Sequence, residues 1–546
     1  MTVAEGIAEI LKKEGVEVLF GYPLNHIIEA AAAVGIRTVI VRQERVGVHM
    51  ADAYSRMTSG DKVGVFVMQH GPGAENSFGG IAQAYGESVP ILVMPMGYRR
   101  RLAQVEPNFS SVNSMRLITK HRESIGSAAE LSNVMRRAFS QVRIGRGGPV
   151  LVEVPIDLFA EELTEPLVYE PQVKRLYMPD QADIMEAAKA LMEAERPVIY
   201  AGQGIHYASA WEPLKTLAEL LGAPVATSLS GKSAFPEDHP LALGAGGNAF
   251  PATVPHFLAD ADLIFGIGCS FTETSFGIAM PAGKKIVHST LDPAHLNKDI
   301  RADIGLIGDA RLTLEELCIE VRKLIKTPRT WKCVDEIQQV REKWLGEWSA
   351  KSNSEDAPLS PYRVLRDLQA TVDMANTIIT HDAGSPRDQL APFWRSTTPK
   401  SYIGWGKSTH LGYGLGLALG AKLCCPDKLC INVWGDAAIG FTGMDLETAV
   451  REHIPILSIL LNNFGMAMEI PIMPFSTDRY RSTDISGDYA AFARALGAYG
   501  ERVTRPEEIV PALLRGIEET KRGNPVLLEF ITGKETVLST SYYRES

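Results

Sequence analysis

The chain has 546 residues, of which 45% are hydrophobic and 22% charged, and its formal net charge is −10. This length suggests three or four domains of ordinary soluble-enzyme composition. The acidic balance argues against a nucleic-acid surface, and no apolar run approaches the length needed to span a bilayer. The start, Met1-Thr-Val-Ala-Glu-Gly-Ile, lacks a basic region followed by an apolar core, so a cytoplasmic location is the expectation. The cluster Cys424, Cys425 and Cys430 contains no C-x-x-C pair and reads as buried reduced thiols.

Three α/β blocks follow one another. Residues 1–165 alternate helix-like segments (Ala4 to Lys13) with short apolar strands at Val18–Phe20, Thr38–Val41, Val63–Met68, Ile91–Met94 and Val150–Val154. Such alternation predicts a doubly wound, mostly parallel sheet covered by helices. Glu162 to Asp183 carries prolines and charges and reads as a linker. Residues 184–328 repeat the logic, with strands at Pro197–Tyr200, Pro224–Ala226, Leu263–Phe265 and Lys285–Val287. A charged helical stretch, Val334 to Trp348, and a polar break at Ser352 to Pro361 lead into a third block, 360–532. The tail, 533–546, has no strong periodicity and reads as a lid or a frayed end. No fixed-period repeat links the blocks.

The third block holds the most informative pattern. Gly435-Asp436-Ala437 ends the apolar run Leu429–Trp434, and after a further 24 residues comes Asn462-Asn463, closing a second apolar run from Ile454 to Leu461. A helix-compatible stretch, Gly443 to His453, joins the two. Strand, helix, strand places Asp436 and Asn463 at the carboxyl ends of parallel strands, where open α/β sheets bind ligands. A carboxylate and an amide oxygen are hard ligands and form a partial set suited to Mg²⁺, which keeps other positions for water and phosphate. The bland alternative is an Asp cap and an Asn pair in a turn.

This pattern resembles the thiamine diphosphate (ThDP) signature, G-D-G followed by N-N, with Ala437 at its third place. With the three-block order, the whole chain resembles the ThDP-dependent acetolactate synthase, pyruvate decarboxylase and benzaldehyde lyase superfamily, and most of all acetolactate synthase-like proteins. The resemblance implies an aminopyrimidine-binding first domain, a central domain and a diphosphate-binding third domain. It implies that Asp436, Asn463 and the backbone carbonyl of Gly465 hold Mg²⁺, and that Gly384, Ser385, Gly435, Ala437 and Ala438 meet the diphosphate. Thr409 would receive the exocyclic amine and Leu411 would wedge between the two rings. Phe20-Gly21-Tyr22-Pro23 and the turn Gly71-Pro72-Gly73-Ala74-Glu75-Asn76 bring Pro23 and Asn76 to the cofactor.

Glu44, right after the strand ending at Val41, matches the family glutamate that protonates the pyrimidine, a role that needs a partly desolvated carboxyl with a raised pKa. Its alternative is a surface glutamate at a helix start. Substrate chemistry falls to four candidates: His26, His70, Glu469 and Asn108. Each has a bland reading as a satisfied or solvated polar residue. Ser270 and Thr274 stand where FAD-binding synthases carry two arginines, which leaves FAD in doubt, although Gly202-Gln203-Gly204 would accept a nucleotide. Gly412-x-Gly414-x-Gly416 reads as close helix–sheet packing rather than a dinucleotide fingerprint.

The expectation is a Mg²⁺- and ThDP-dependent C–C lyase or carboligase acting on a 2-oxo acid or 2-hydroxy ketone, most of all pyruvate. A 2-oxo acid decarboxylase, an acyl-CoA lyase of the oxalyl-CoA decarboxylase type, and a non-catalytic ThDP-binding paralogue are the competing readings. The resemblance puts the two halves of the site on different subunits, so a homodimer is the minimum and a homotetramer is common.

Overall fold

The computed structural model describes residues 1–327 and 330–540; residue 328 of the central block and residues 541–546 of the tail lie outside the described residues. Three six-stranded sheets carry the chain. The first contains β1 (Val18–Gly21), β2 (Arg37–Ile40), β3 (Gly64–Met68), β4 (Ile91–Gly97), β5 (His121–Ser124) and β6 (Val150–Pro155), in the order β2-β1-β3-β4-β6-β5. The second contains β7 (Pro197–Ala201), β8 (Val225–Ser228), β9 (Ala242–Gly246), β10 (Leu263–Ile267), β11 (Lys285–Thr290) and β12 (Ile304–Ile307), in the order β12-β11-β10-β7-β8-β9. The third contains β13 (Thr377–His381), β14 (Tyr402–Ile403), β15 (Leu429–Gly435), β16 (Leu457–Asn462), β17 (Tyr499–Val503) and β18 (Val526–Ile531), in the order β14-β13-β15-β16-β18-β17. All the strand pairs are parallel.

The first and third sheets share one strand order, a likeness of topology that no repeat in the sequence announces. In both, the chain first winds outward to one side and then reverses. The reversal leaves a crevice at the strand carboxyl ends, between β1 and β3 in one sheet and between β13 and β15 in the other.

Several elements depart from the sequence reading. β5 and β12 are short, and β9 is glycine-rich, so none of the three stands out as an apolar run. The segment joining the metal-motif strands is a helix Asp436–Thr442, a 3₁₀ turn Gly443–Asp445 and a helix Leu446–Arg451, so it starts seven residues before Gly443. β16 begins at Leu457 rather than Ile454, because Pro455 has no N–H for the ladder. The G-P-G segment is not a turn but the start of the helix Pro72–Gly86. Gly71 precedes it at φ +61°, a conformation that favours glycine. Cys333, Cys424 and Cys425 are half-buried, unlike Cys269, Cys318 and Cys430.

One face of the first sheet packs on helices of its own, including Val3–Lys13 and Leu131–Arg143. The opposite face shares a core with the third sheet, joining Phe20, Phe66 and Val93 to Trp434 and Leu460. Helices Glu44–Met57 and Tyr413–Cys424 fill this shared layer and are buried along most of their length; the second is apolar nearly all round, while the first buries Glu44, His49, Asp52 and Arg56 among its apolar residues. They touch through glycine. A Cβ on Gly416 would stand 2.4 Å from His49 Cβ, and one on Gly420 would stand 2.4 Å from the Met50 carbonyl oxygen. Gly416 faces Val46 and His49, and Gly420, one turn on, faces Met50 and Ala53. The two N-terminal ends, which carry Glu44 and Leu411, therefore lie at the same end of the pair.

Polar groups pin this contact. Arg56 donates to Asp52 (2.6 Å) and to the Gly404 carbonyl (3.0 Å), and the Tyr413 hydroxyl donates to Asp52. Asp445 Oδ1 accepts the Arg42 backbone N–H (2.8 Å) and the Thr448 hydroxyl (2.9 Å), while its second oxygen is buried without a partner. Burial pushes the Asp445 carboxyl up to about 7. Because its folded pKa is raised, the stability it contributes is fullest below the ordinary carboxylate value and is lost as pH rises through 7. Asp445→Asn keeps the acceptor and removes the buried charge. Its melting-temperature gain over the unsubstituted protein is expected to be larger at pH 8 than at pH 5; equal gains in thermal melts would refute the raised pKa.

Candidate active site at the strand carboxyl ends

Glu44 is the first residue of its helix and only 6% exposed. Its carboxylate accepts one side-chain hydrogen bond, from Asn76 Nδ2 at 3.2 Å. Burial holds its pKa above the ordinary range, against the lowering by its hydrogen bonds. Gly73 lies alongside, where a Cβ would come 3.6 Å from Glu44 Oε1. The same helix, Pro72–Gly86, runs against the third block: Gln83 Oε1 accepts the His410 N–H, and Glu87 accepts the N–H groups of Gly406 and Lys407. The sequence pair Glu44 and Asn76 is thus brought together, beside the segment that holds Thr409 and Leu411.

At the other crevice, Asp436 opens the helix after β15. Its Oδ1 accepts the Ala437 N–H (2.9 Å) and its Oδ2 the Gly465 N–H (3.0 Å). Burial raises its pKa, while backbone N–H groups from Gly465, Ala437, Asn463 and Phe464 pull the other way. Asn463 Oδ1 is buried and has no partner. An orphaned amide oxygen next to a buried carboxylate costs free energy unless a cation meets both. That arrangement fits a hard divalent ion such as Mg²⁺. Gly384 (φ +78°), ahead of the short helix Ser385–Leu390, has nothing within 4 Å of where a Cβ would point, so the crevice is open there. Pro386 lies 3.5 Å from the corresponding point on Gly435, which brings the Gly384–Ser385 loop against the Asp436 loop.

Asp382, which the sequence reading left without a role, ties these parts together. It is fully buried and accepts N–H groups from Ala383 (2.8 Å), Gly412 (2.8 Å) and Gly414 (3.0 Å). Burial pushes it up to about 6. One carboxylate thereby joins the Gly384 loop to the residue after Leu411. Asn25 does a similar job in the first sheet, donating to the Met68 and Met94 carbonyls (3.0 and 3.1 Å). Its position directly before a helix was the only signal of it. The glycines at 412–416 do pack closely, since a Cβ on Gly414 would stand 2.3 Å from Asn432 Oδ1.

The substrate candidates are scattered along the rim. His70 follows β3, with Nδ1 buried and unpartnered and its ring 4.6 Å from Tyr98; burial lowers its pKa, which keeps it neutral at pH 7. His26 is exposed and lies against Phe159. Pro23 is also exposed. Asn108 donates to the Leu102 carbonyl (3.0 Å). Glu469 ends a 3₁₀ turn and is half-buried.

The central sheet has its own reversal, between β7 and β10. A cavity of 450 Å³ opens there, lined by Gly204, Gly268, Ser270 and Thr274 together with Arg146 and Lys407 from the flanking domains. Ser270 and Thr274 bring no charge to it.

Family models place this architecture. The N-terminal TPP binding domain of thiamine pyrophosphate enzymes matches residues 1–117, the central domain 184–317 and the C-terminal TPP binding domain 382–530. The chain belongs to the thiamine pyrophosphate enzymes. It is 31% identical to a probable acetolactate synthase large subunit of Methanocaldococcus jannaschii, over 97% of this chain and 92% of that protein. It is 30% identical to the acetolactate synthase isozyme 3 large subunit of Escherichia coli, over 98% of this chain and 95% of that protein. Against the acetolactate synthase large subunit of Corynebacterium glutamicum the identity is 29%, over 98% and 87%. The protein is a ThDP-dependent enzyme of acetolactate synthase-like type.

Removing the Asp436 carboxylate takes away the one charged ligand of the candidate metal site. Asp436→Ala is expected to weaken ThDP binding about tenfold or more at limiting Mg²⁺. Unchanged affinity by calorimetry under those conditions would rule out the metal assignment.

Proposed function

We propose that this enzyme is a Mg²⁺-dependent carboligase that joins two 2-oxo acid molecules, with pyruvate as donor, as the names of its acetolactate synthase relatives suggest. The observation that carries the chemistry is Glu44: a buried carboxyl with one side-chain hydrogen bond and a raised pKa, at the carboxyl-end rim of the first sheet. Burial favours the protonated form of such a group, which can pass its proton to a ring nitrogen. ThDP, when bound, supplies the nucleophilic carbon and the electron sink for bond cleavage next to a carbonyl.

The residues of the chain do the rest. Asp436, Asn463 and the Gly465 carbonyl would hold the metal; Ser385 and the amides of Gly384, Ala437 and Ala438 would hold the diphosphate, with Gly435 giving the backbone room to approach. Leu411 and the Thr409 carbonyl would fix the orientation of the rings, and Pro23 and Asn76 would border the pyrimidine. His70, neutral at pH 7, is the strongest of the four substrate-facing candidates, because its buried ring nitrogen lacks a partner. His26, Asn108 and Glu469 are proposed to face substrate on the strength of resemblance. No step is routed through FAD. A homodimer at minimum, and a homotetramer, are proposed on the same resemblance and on the exposed apolar residues Ile472, Phe475 and Tyr480 that follow the metal loop. No helix among the described residues is long and apolar enough to cross a membrane, and a cytoplasmic location is proposed.

Proton NMR of the protein with Mg²⁺, ThDP and pyruvate tests the reaction. Cofactor-dependent loss of pyruvate with acetolactate as product is expected. Acetaldehyde alone would mean simple decarboxylation instead. Glu44→Gln is expected to retain ThDP binding and lose at least ~10²-fold in turnover; near-normal turnover would remove Glu44 from the mechanism.

A further inference from the structure

Glu529 lies on β18, outside the sequence motif, and its side chain is fully buried. Four hydrogen bonds converge on its carboxylate. Asn462 Nδ2 donates at 2.7 Å, the Ala490 N–H at 3.0 Å, and Arg502 at 3.0 and 3.1 Å through Nε and Nη2. A buried ion pair is weak ground for stability, since apolar residues of the same volume often serve as well. This one instead orients an amide. With Nδ2 fixed on Glu529, Asn462 turns Oδ1 outward to accept the Phe464 N–H at 2.9 Å.

Phe464 is the residue that needs holding. It sits between the candidate ligands Asn463 and Gly465 with φ +56°, a left-handed conformation that a phenylalanine adopts at a cost. Its far side is tied by the Ile485 N–H to its carbonyl (3.1 Å) and by the Gly465–Asp484 bridge. Gly465 then reaches Asp436 through its own N–H. A continuous chain of bonds therefore runs from Arg502 through Glu529 and Asn462 to the loop that carries two of the three candidate metal ligands.

We propose that Glu529 is a positioning residue for the metal site: through Asn462 it holds Phe464 left-handed, which aims the Asn463 side chain and the Gly465 carbonyl at one cation. This rests on the Mg²⁺ reading of Asp436, Asn463 and Gly465. Glu529 acts at two hydrogen bonds' remove, through Asn462 on the Phe464 N–H between two of the ligands, and groups that orient metal ligands affect metal affinity when they are lost.

The test is calorimetric titration of ThDP into the full-length protein over a series of Mg²⁺ concentrations, for the unsubstituted protein, Glu529→Gln and Asn462→Ala. Asn462→Ala leaves the Glu529–Arg502 pair in place and removes the bridge between Glu529 and the Phe464 N–H, so it serves where Glu529→Gln fails to fold. The half-saturating Mg²⁺ is expected to rise ~10-fold or more in the variants, with ThDP affinity at saturating Mg²⁺ within about threefold of the unsubstituted protein. A lower melting temperature with unchanged half-saturating Mg²⁺ in the folded variants would overturn the role of Glu529 while leaving the metal site standing. Metal-independent ThDP binding by the unsubstituted protein would overturn both.

Discussion

The close approach of helices Glu44–Met57 and Tyr413–Cys424 is the constraint on which the rest of the molecule depends. Gly416 and Gly420 remove the side chains that would keep the backbones apart, and any Cβ there would enter His49 or the Met50 carbonyl. The contact fuses one face of the first sheet and one face of the third into a single core. It also puts the two helix starts at the same end. Close-packed interiors resist small displacements, so the relative placement of Glu44 and Leu411 is set by core packing rather than by flexible loops.

Around that contact, the chain spends buried polar groups on geometry. Asp382 gathers three backbone N–H groups from two segments. Asn25 laces the start of a helix to the end of β3 and the middle of β4. Glu529 orients Asn462. Each is a buried side chain with its hydrogen bonds made, Asp382 and Asn25 to backbone and Glu529 to Asn462, Arg502 and the Ala490 N–H, which is the condition for a polar group to be tolerated inside. Together they hold loops at the carboxyl ends of strands, where a reversal of winding direction leaves a crevice in each sheet.

Electrostatics separates the two halves of the site. Glu44 has a single side-chain donor, so desolvation dominates and favours its protonated form. Asp436 is also desolvated, but four backbone N–H groups oppose the rise, and an orphaned amide oxygen stands beside it. One environment suits a proton donor and the other a cation. The same residue class thus meets two different environments.

What the sequence determined by itself was the chemistry-bearing motif and the alternation of elements. Asp436, Asn463 and Glu44 stand within three residues of the ends of apolar runs, and a run of β-branched and aliphatic residues bounded by turn signals is consistent with a buried parallel strand without any long-range information. The glycine spacing at 412–416 likewise signalled close packing. Short strands such as β5 were not legible, because four residues with polar side chains become a strand only when a neighbour completes the ladder. Tertiary structure alone decided that two sheets share a strand order and a core, that Asn76 reaches Glu44 across 32 residues, and that Asn462 meets Glu529 across 67. Those pairings depend on which helix faces pack together, and the free energy that selects a packing belongs to the assembled core rather than to any local stretch of chain.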